Sequence, residues 1–279
     1  MKKIDRNQLV KEVAKACVEA NIYLAEDVAT RIDELANLES NSRAKSILSQ
    51  LEQNRQVASK TKLPLCQDTG ICVMFIKLGN QVQIDFDLYE ALNEAIRLGY
   101  DQGNLRKSVV KDPLFRTNTG DNTPGIYHLE LTSGDNLEII VAPKGAGSEN
   151  MSSLKMMNPQ STVSEVEDFI YDCVVNSGGK PCPPIVVGVG IGGTFEVAAI
   201  NAKRAAISPV GEYNSKTEYA EIEKRLIARI NQSGIGPMGL GGDSTCLDVS
   251  IIESHSHIAS LPVAVNIQCH VARHKVVKL

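Results

Sequence analysis

The sequence predicts an α+β fold, with N-terminal helices followed by mixed helices and short, largely antiparallel β-sheets. Three observations carry that prediction. Residues 5–59 repeat apolar groups at helical spacing, as in Leu9, Val13 and Cys17 and again in Val28, Ile32 and Leu35. Later apolar runs are short and β-branched or alternate with period two, as strands do. Helices and strands then follow one another without a regular βαβ alternation, and no internal repeat or low-complexity segment interrupts them.

Taken in order, the part from about 1 to 60 reads as packed amphipathic helices serving as scaffold. Ile71–Leu78 is a short apolar run and Gln81–Phe86 alternates, so the two are expected to form a hairpin around Gly79-Asn80. A helix is expected over 87–102. A second hairpin is expected over 126–142, where YHLELT and NLEIIVA flank Ser133-Gly134-Asp135. Helices fit 163–176, 195–206 and 215–232, and strands fit Ile185–Val189, Leu247–Ile252 and Val263–Gln268. The whole, 1–279, is expected to be a single domain.

Composition limits the partners. Of 279 residues 43% are apolar, enough for a sizeable core, and 33 acidic against 29 basic residues give a net charge of -4. Such a chain offers no broad basic face to nucleic acid. No apolar run reaches the roughly 20 residues of a membrane span, and MKKIDRNQLVKEVAKACVEA is charged throughout, unlike a signal peptide. The expectation is a cytoplasmic protein without a membrane partner. Seven cysteines form an odd, scattered set, which argues against a disulfide framework and for reduced thiols.

Four stretches are rich in glycine or proline: NTGDNTPG (118–125), PKGAGSEN (143–150), SGGKPCPP (177–184) and GIGPMGLGGDST (234–245). Such loops bring bare backbone amides close to a ligand, or they are turns and nothing more. Cys66 in LPLCQDTG precedes one strand, Cys182 in GGKPCPPIVV precedes another among three prolines, and Cys269 ends VAVNIQC. All three therefore sit at strand edges, where a rigid element can hold a thiolate toward a cavity. Intervals of 116 and 87 residues with no local CxxC leave the bound group open on spacing alone. Cys17, Cys72, Cys173 and Cys246 lie in periodic segments that packing explains, although Cys72 and Cys246 stand near the same loops.

Two further patterns are weaker. His255 and His257 share one face of an extended segment and His270 and His274 are four apart, so zinc is formally possible, but HVARH lacks the acid of HExxH. GVGIGG (188–193) matches G-x-G-x-x-G between a strand and a helix, yet the following ISPVGEYNSKTEYAEIEKR supplies no second strand ending in an acid. Its glycines are better read as close packing, or as amides holding an anion at a helix start.

From about Lys60 to His274 the motifs CQDTG, LRKSVV, NTGDNTPG, PKGAGSEN, GGKPCPPIVVGVGIGG, GIGPMGLGG and LPVAVNIQCHVARH together resemble the N-terminal domain or α subunit of class I fumarases and L-tartrate dehydratases. The resemblance implies a 4Fe-4S cluster held by three distant cysteines, which correspond to Cys66, Cys182 and Cys269. One iron would then lack a protein ligand and act as a Lewis acid. It also implies Asp68 as an acid close to the reacting group, Gln67 as a substrate contact, Arg106 as a carboxylate clamp, a backbone amide near Gly147, and His257 as an active-site histidine. KGAG stands where relatives often show KGGG.

Single-chain relatives continue past the third cysteine into a second domain, whereas this chain stops at Leu279. The resemblance thus implies a separate β subunit completing the pocket for a small dicarboxylate, in an α2β2 assembly or around a dimer of α. The expected activity is a hydro-lyase, fumarate to L-malate, with L(+)-tartrate dehydration as the alternative. A non-enzymatic iron-sulfur sensor, or an interaction subunit without its cluster, are the readings from other classes. The sensor has no need of Asp68, Arg106 and His257.

Overall fold

The computed structural model describes residues 2–279, and they divide into two compact units. Unit 1 comprises residues up to Ala25, Arg55–Ala146 and Arg273–Leu279; unit 2 comprises Glu26–Asn54 and Gly147–Ala272. Helices and sheets occur in both, so the α+β expectation holds.

The opening is helical, as expected: α1 (Arg6–Ile22), α2 (Glu26–Leu38) and α3 (Ser42–Thr61) follow a two-residue strand β1 (Lys2–Lys3). Asp5 starts α1 by accepting the Gln8 N–H at 2.7 Å. In unit 1, α1 buries Leu9, Val13 and Cys17 in one core with α4 (Leu88–Gln102), whose N-cap is Asp87. That core closes on a sheet built from β2 (Ile71–Gly79), β4 (Ile126–Thr132), β5 (Leu137–Lys144) and β10 (Lys275–Lys278), ordered β10-β5-β2-β4.

Neither expected hairpin forms. β2 does not pair with the next segment; that segment, β3 (Val82–Gln83), pairs in parallel with β1. β2 instead lies between β4 and β5, parallel to the first and antiparallel to the second. The reason is burial on both faces. Cys72 to Ile76 are all buried, as in a central strand, so β2 separates two strands that follow each other in sequence. Both turn signals are nonetheless turns, and they dock on one another: Gly79 N–H bonds Asn136 O, Asn80 N–H bonds Thr132 O and Gln81 N–H bonds Gly134 O.

Unit 2 repeats this wiring. After the short helix α5 (Ala146–Glu149) come β6 (Ser153–Met157), α6 (Val163–Ser177), β7 (Ile185–Gly192), α7 (Phe195–Ala205), α8 (Thr217–Asn231), β8 (Cys246–Ser254) and β9 (Leu261–Gln268). α6 begins with a full capping box between Thr162 and Glu165. The order is β6-β9-β7-β8, with β7 parallel to β8 and antiparallel to β9, so a fully buried central strand again has a parallel neighbour on one side and an antiparallel one on the other.

The glycines of GVGIGG are explained by packing. A Cβ on Gly188 would stand 2.1 Å from the Ala202 carbonyl oxygen, and one on Gly190 would stand 2.0 Å from that of Ala198. α7 therefore lies directly on the backbone of β7. Gly188→Ala is expected to destabilise the protein by about 3 kcal/mol, because backbone rather than a movable side chain must give way. Chemical denaturation with an unchanged m-value would check it.

Candidate active site

In unit 1 the CQDTG segment forms a tight loop just before β2. Asp68 N–H points at Cys66 Sγ, 3.4 Å away. Asp68 then folds its own carboxylate back: Oδ1 accepts the Gly70 N–H at 3.0 Å and Oδ2 accepts the Ala146 N–H at 2.8 Å. Two backbone donors thus fix the plane of a half-buried carboxylate without neutralising it by an ion pair. Gln67 is exposed beside it.

The loop is held by its carbonyls. Tyr100, fully buried on α4, donates its hydroxyl to Thr69 O at 2.9 Å and Gly70 O at 3.0 Å. Buried Asn122 donates to Gly70 O and, through Oδ1, accepts the N–H groups of Ser108 and Val109. Thr69 Oγ1 donates to the Arg106 carbonyl at 3.0 Å. Unit 1 therefore brings Cys66, Gln67, Asp68 and Arg106 onto two loops that are bonded to each other, with the exposed Arg106 guanidinium in no ion pair among the described residues.

In unit 2 the β7–β9 register sets Val186 opposite Gln268, which brings Cys182, four residues before, and Cys269, one residue after, to the same end of the strand pair. His270 closes that end. Its backbone N–H and its ring Nδ1 both approach the Cys182 carbonyl, at 3.4 and 3.0 Å, so the ring nitrogen facing that oxygen carries the proton. Cys182 has φ +56° and an exposed side chain, and Cys269 is half-buried. His270 and His274 lie on an irregular segment, and their spacing of four places them on no common helix face.

His257 sits on an exposed loop, where Nδ1 accepts the Ala259 N–H at 3.1 Å and leaves Nε2 to carry the ring proton. It lines a cavity of about 610 Å³ with Met156, Phe195 and His255, all in unit 2. Gly147 is exposed at the second position of α5. The Ala146 N–H in the same loop is already given to Asp68.

The other cysteines are packing groups. Cys17 and Cys72 are fully buried with sulfurs 3.9 Å apart, and the Cys72 thiol is pushed well up by its contact with Cys17 and by burial. Burial likewise raises Cys246 and, less strongly, Cys173. Groups so biased to the neutral thiol are poor metal ligands. Among the described residues no three His, Cys, Asp or Glu side chains already converge as a metal site.

A family model described as fumarate hydratase (Fumerase) matches residues 10–278. The chain belongs to this family. Among this fumarase-family chain's relatives is a Methanocaldococcus jannaschii protein named provisionally as an L(+)-tartrate dehydratase subunit alpha, 42% identical over 94% of this chain and 94% of its own length. Another is the L(+)-tartrate dehydratase subunit alpha of Escherichia coli, strain K12, 30% identical over 94% of this chain and 88% of its own length.

Reading the sequence missed three residues that build this fumarase-family loop: Tyr100, Asn122 and Arg273. Tyr100 looked like one more apolar position of α4, and its hydroxyl is the part that matters. Tyr100→Phe is expected to cost about 1–3 kcal/mol of stability, since the Thr69 carbonyl stays buried without a donor. Thermal unfolding of the variant would show it.

Proposed function

We propose that this chain is the iron-sulfur α subunit of a hydro-lyase that adds water to fumarate, with its residues 1–279 working as one α-subunit domain. A hydro-lyase α subunit follows from the family and from the α-subunit relatives. The finer reading rests on one observation. The loop whose Asp68 N–H meets Cys66 Sγ also holds one oxygen of the Asp68 carboxylate through Gly70, while Ala146 holds the other, so a candidate ligand and a candidate acid are fixed side by side.

The chemistry of the donor set fits a cluster. Cys66, Cys182 and Cys269 stand outside both hydrophobic cores at strand ends, whereas Cys17, Cys72 and Cys246 lie within them. The Asp68 N–H at Cys66 Sγ is the kind of donor that stabilises a ligating thiolate. When bound, a 4Fe-4S cluster would supply a Lewis-acidic iron lacking a protein ligand. The rest is the work of side chains. As a carboxylate Asp68 takes the proton from the substrate carbon during dehydration, and in its protonated form it returns that proton during hydration, while the other proton of the added water leaves to solvent. Arg106 clamps a substrate carboxylate through two parallel N–H bonds, Gln67 and the Gly147 amide orient the dicarboxylate, and His257 offers its Nε2–H as a donor.

L(+)-tartrate is the second reading, favoured by the names of the relatives. Its extra hydroxyl must be met by a polar group, which we place on a β subunit that completes the pocket in an α2β2 assembly or around a dimer of α. No helix among the described residues is long and apolar enough to cross a membrane, and we place the enzyme in the cytoplasm.

The test is anaerobic purification with and without the β partner, followed by assays with fumarate, L-malate and the tartrate isomers. The chain alone is expected to fold and show little or no turnover; full turnover by a verified pure α chain would refute the two-subunit reading. A loaded complex inert on all of these substrates would favour the sensor.

A further inference from the structure

Arg273 has no part in the reaction described above, yet it is only 2% exposed. Its Nε donates to the Pro143 carbonyl at 3.2 Å and its Nη2 to the Asp68 carbonyl, so one planar fork joins the end of β5 to the backbone of Asp68. Its Nη1 is buried with no acceptor among the described residues.

The carbonyls of residues 68, 69 and 70 are taken in turn by Arg273, by Tyr100, and by Tyr100 with Asn122. Only the donor at residue 68 is charged. On the other face, a Cβ on Gly145 would stand 3.1 Å from Asp68 Oδ2 and 3.5 Å from Arg273 Nη2. The carboxylate and the guanidinium thus border one small space that glycine leaves open.

We propose that Arg273 is a positioning residue of the hydro-lyase: it holds the Asp68 peptide against β5, so that the Asp68 carboxylate keeps its two amide donors and its aim. It acts through Asp68 and touches no substrate. The inference rests on the role proposed for Asp68.

A double-mutant cycle in the anaerobically loaded α–β complex tests it. Arg273→Gln is expected to lower kcat about thirtyfold or more with KM changed less than about threefold, since a displacement below an ångström at a reacting group is felt in the transition state. Arg273→Lys, which keeps the charge and one donor, should recover part of the loss, and iron content should match the parent. In the Asp68→Asn background the same change should cost less than about threefold. An equal loss in both backgrounds would make Arg273 a structural residue and overturn the inference while leaving the Asp68 mechanism intact. Parent turnover by Asp68→Asn alone would overturn both. Should Arg273→Gln fail to fold, the cycle run with Arg273→Lys decides by the same non-additivity.

Discussion

Cys66→Ser, Cys182→Ser and Cys269→Ser proteins, reconstituted anaerobically with iron and sulfide, are each expected to fall from about four irons per chain to background or to a labile remnant. Turnover should vanish with the cluster. Cys173→Ser is the matched control: it also removes a half-buried thiol, but one on α6 whose burial biases it to the neutral form, and it should keep the parent iron content. The contrast matters because the chain has seven cysteines, and loss of iron from any of them would say little. Iron and sulfide analysis with the visible absorption of the cluster reads the result directly. Full iron content in a triple variant at positions 66, 182 and 269 would show the ligand assignment to be wrong.

The helices were legible because their physics is local. Asp87 and the Thr162–Glu165 box cap the starts of α4 and α6, which lie within one residue of where periodicity alone placed them. Strand pairing was not, because a turn signal reports a reversal of the chain and leaves the neighbour unspecified. Ser133-Gly134-Asp135 does reverse the chain between β4 and β5, and β2 occupies the gap. The signal that could have revealed this was present: ICVMFI is apolar without alternation, the mark of a strand covered on both faces.

At the site the divide is similar. Asp68 and Arg106 lie in motifs whose residue types announce chemistry. Tyr100, Asn122 and Arg273 act through a hydroxyl, an amide and a guanidinium turned inward onto backbone carbonyls, and neither periodicity nor composition marks which carbonyl a buried side chain will meet. Arg273 stands in HVARH, where two histidines drew attention to zinc spacing and the arginine between them did not. Cys182 and Cys269 are 87 residues apart in sequence, and only the β7–β9 register brings them to one strand end.

Asp68→Asn should lower kcat for fumarate hydration on the order of a hundredfold to ten-thousandfold while iron content stays at the parent value. The substitution changes little else. Asparagine keeps the shape, and its single carbonyl oxygen can still accept the N–H of Gly70 or of Ala146, though not both, so one of those amides loses its partner. A cost of about 1–3 kcal/mol in stability should accompany the loss of rate. KM should change far less than kcat, because a proton-transfer group is felt in the transition state and scarcely in the bound ground state. Arg106→Ala provides the opposite pattern: a carboxylate clamp serves both states, so its removal should raise KM and leave most of kcat. If Asp68→Asn, with iron confirmed and β subunit present, hydrated fumarate at the parent rate, the two amides that grip its carboxylate would be a turn motif and nothing more, and the reaction would need another acid.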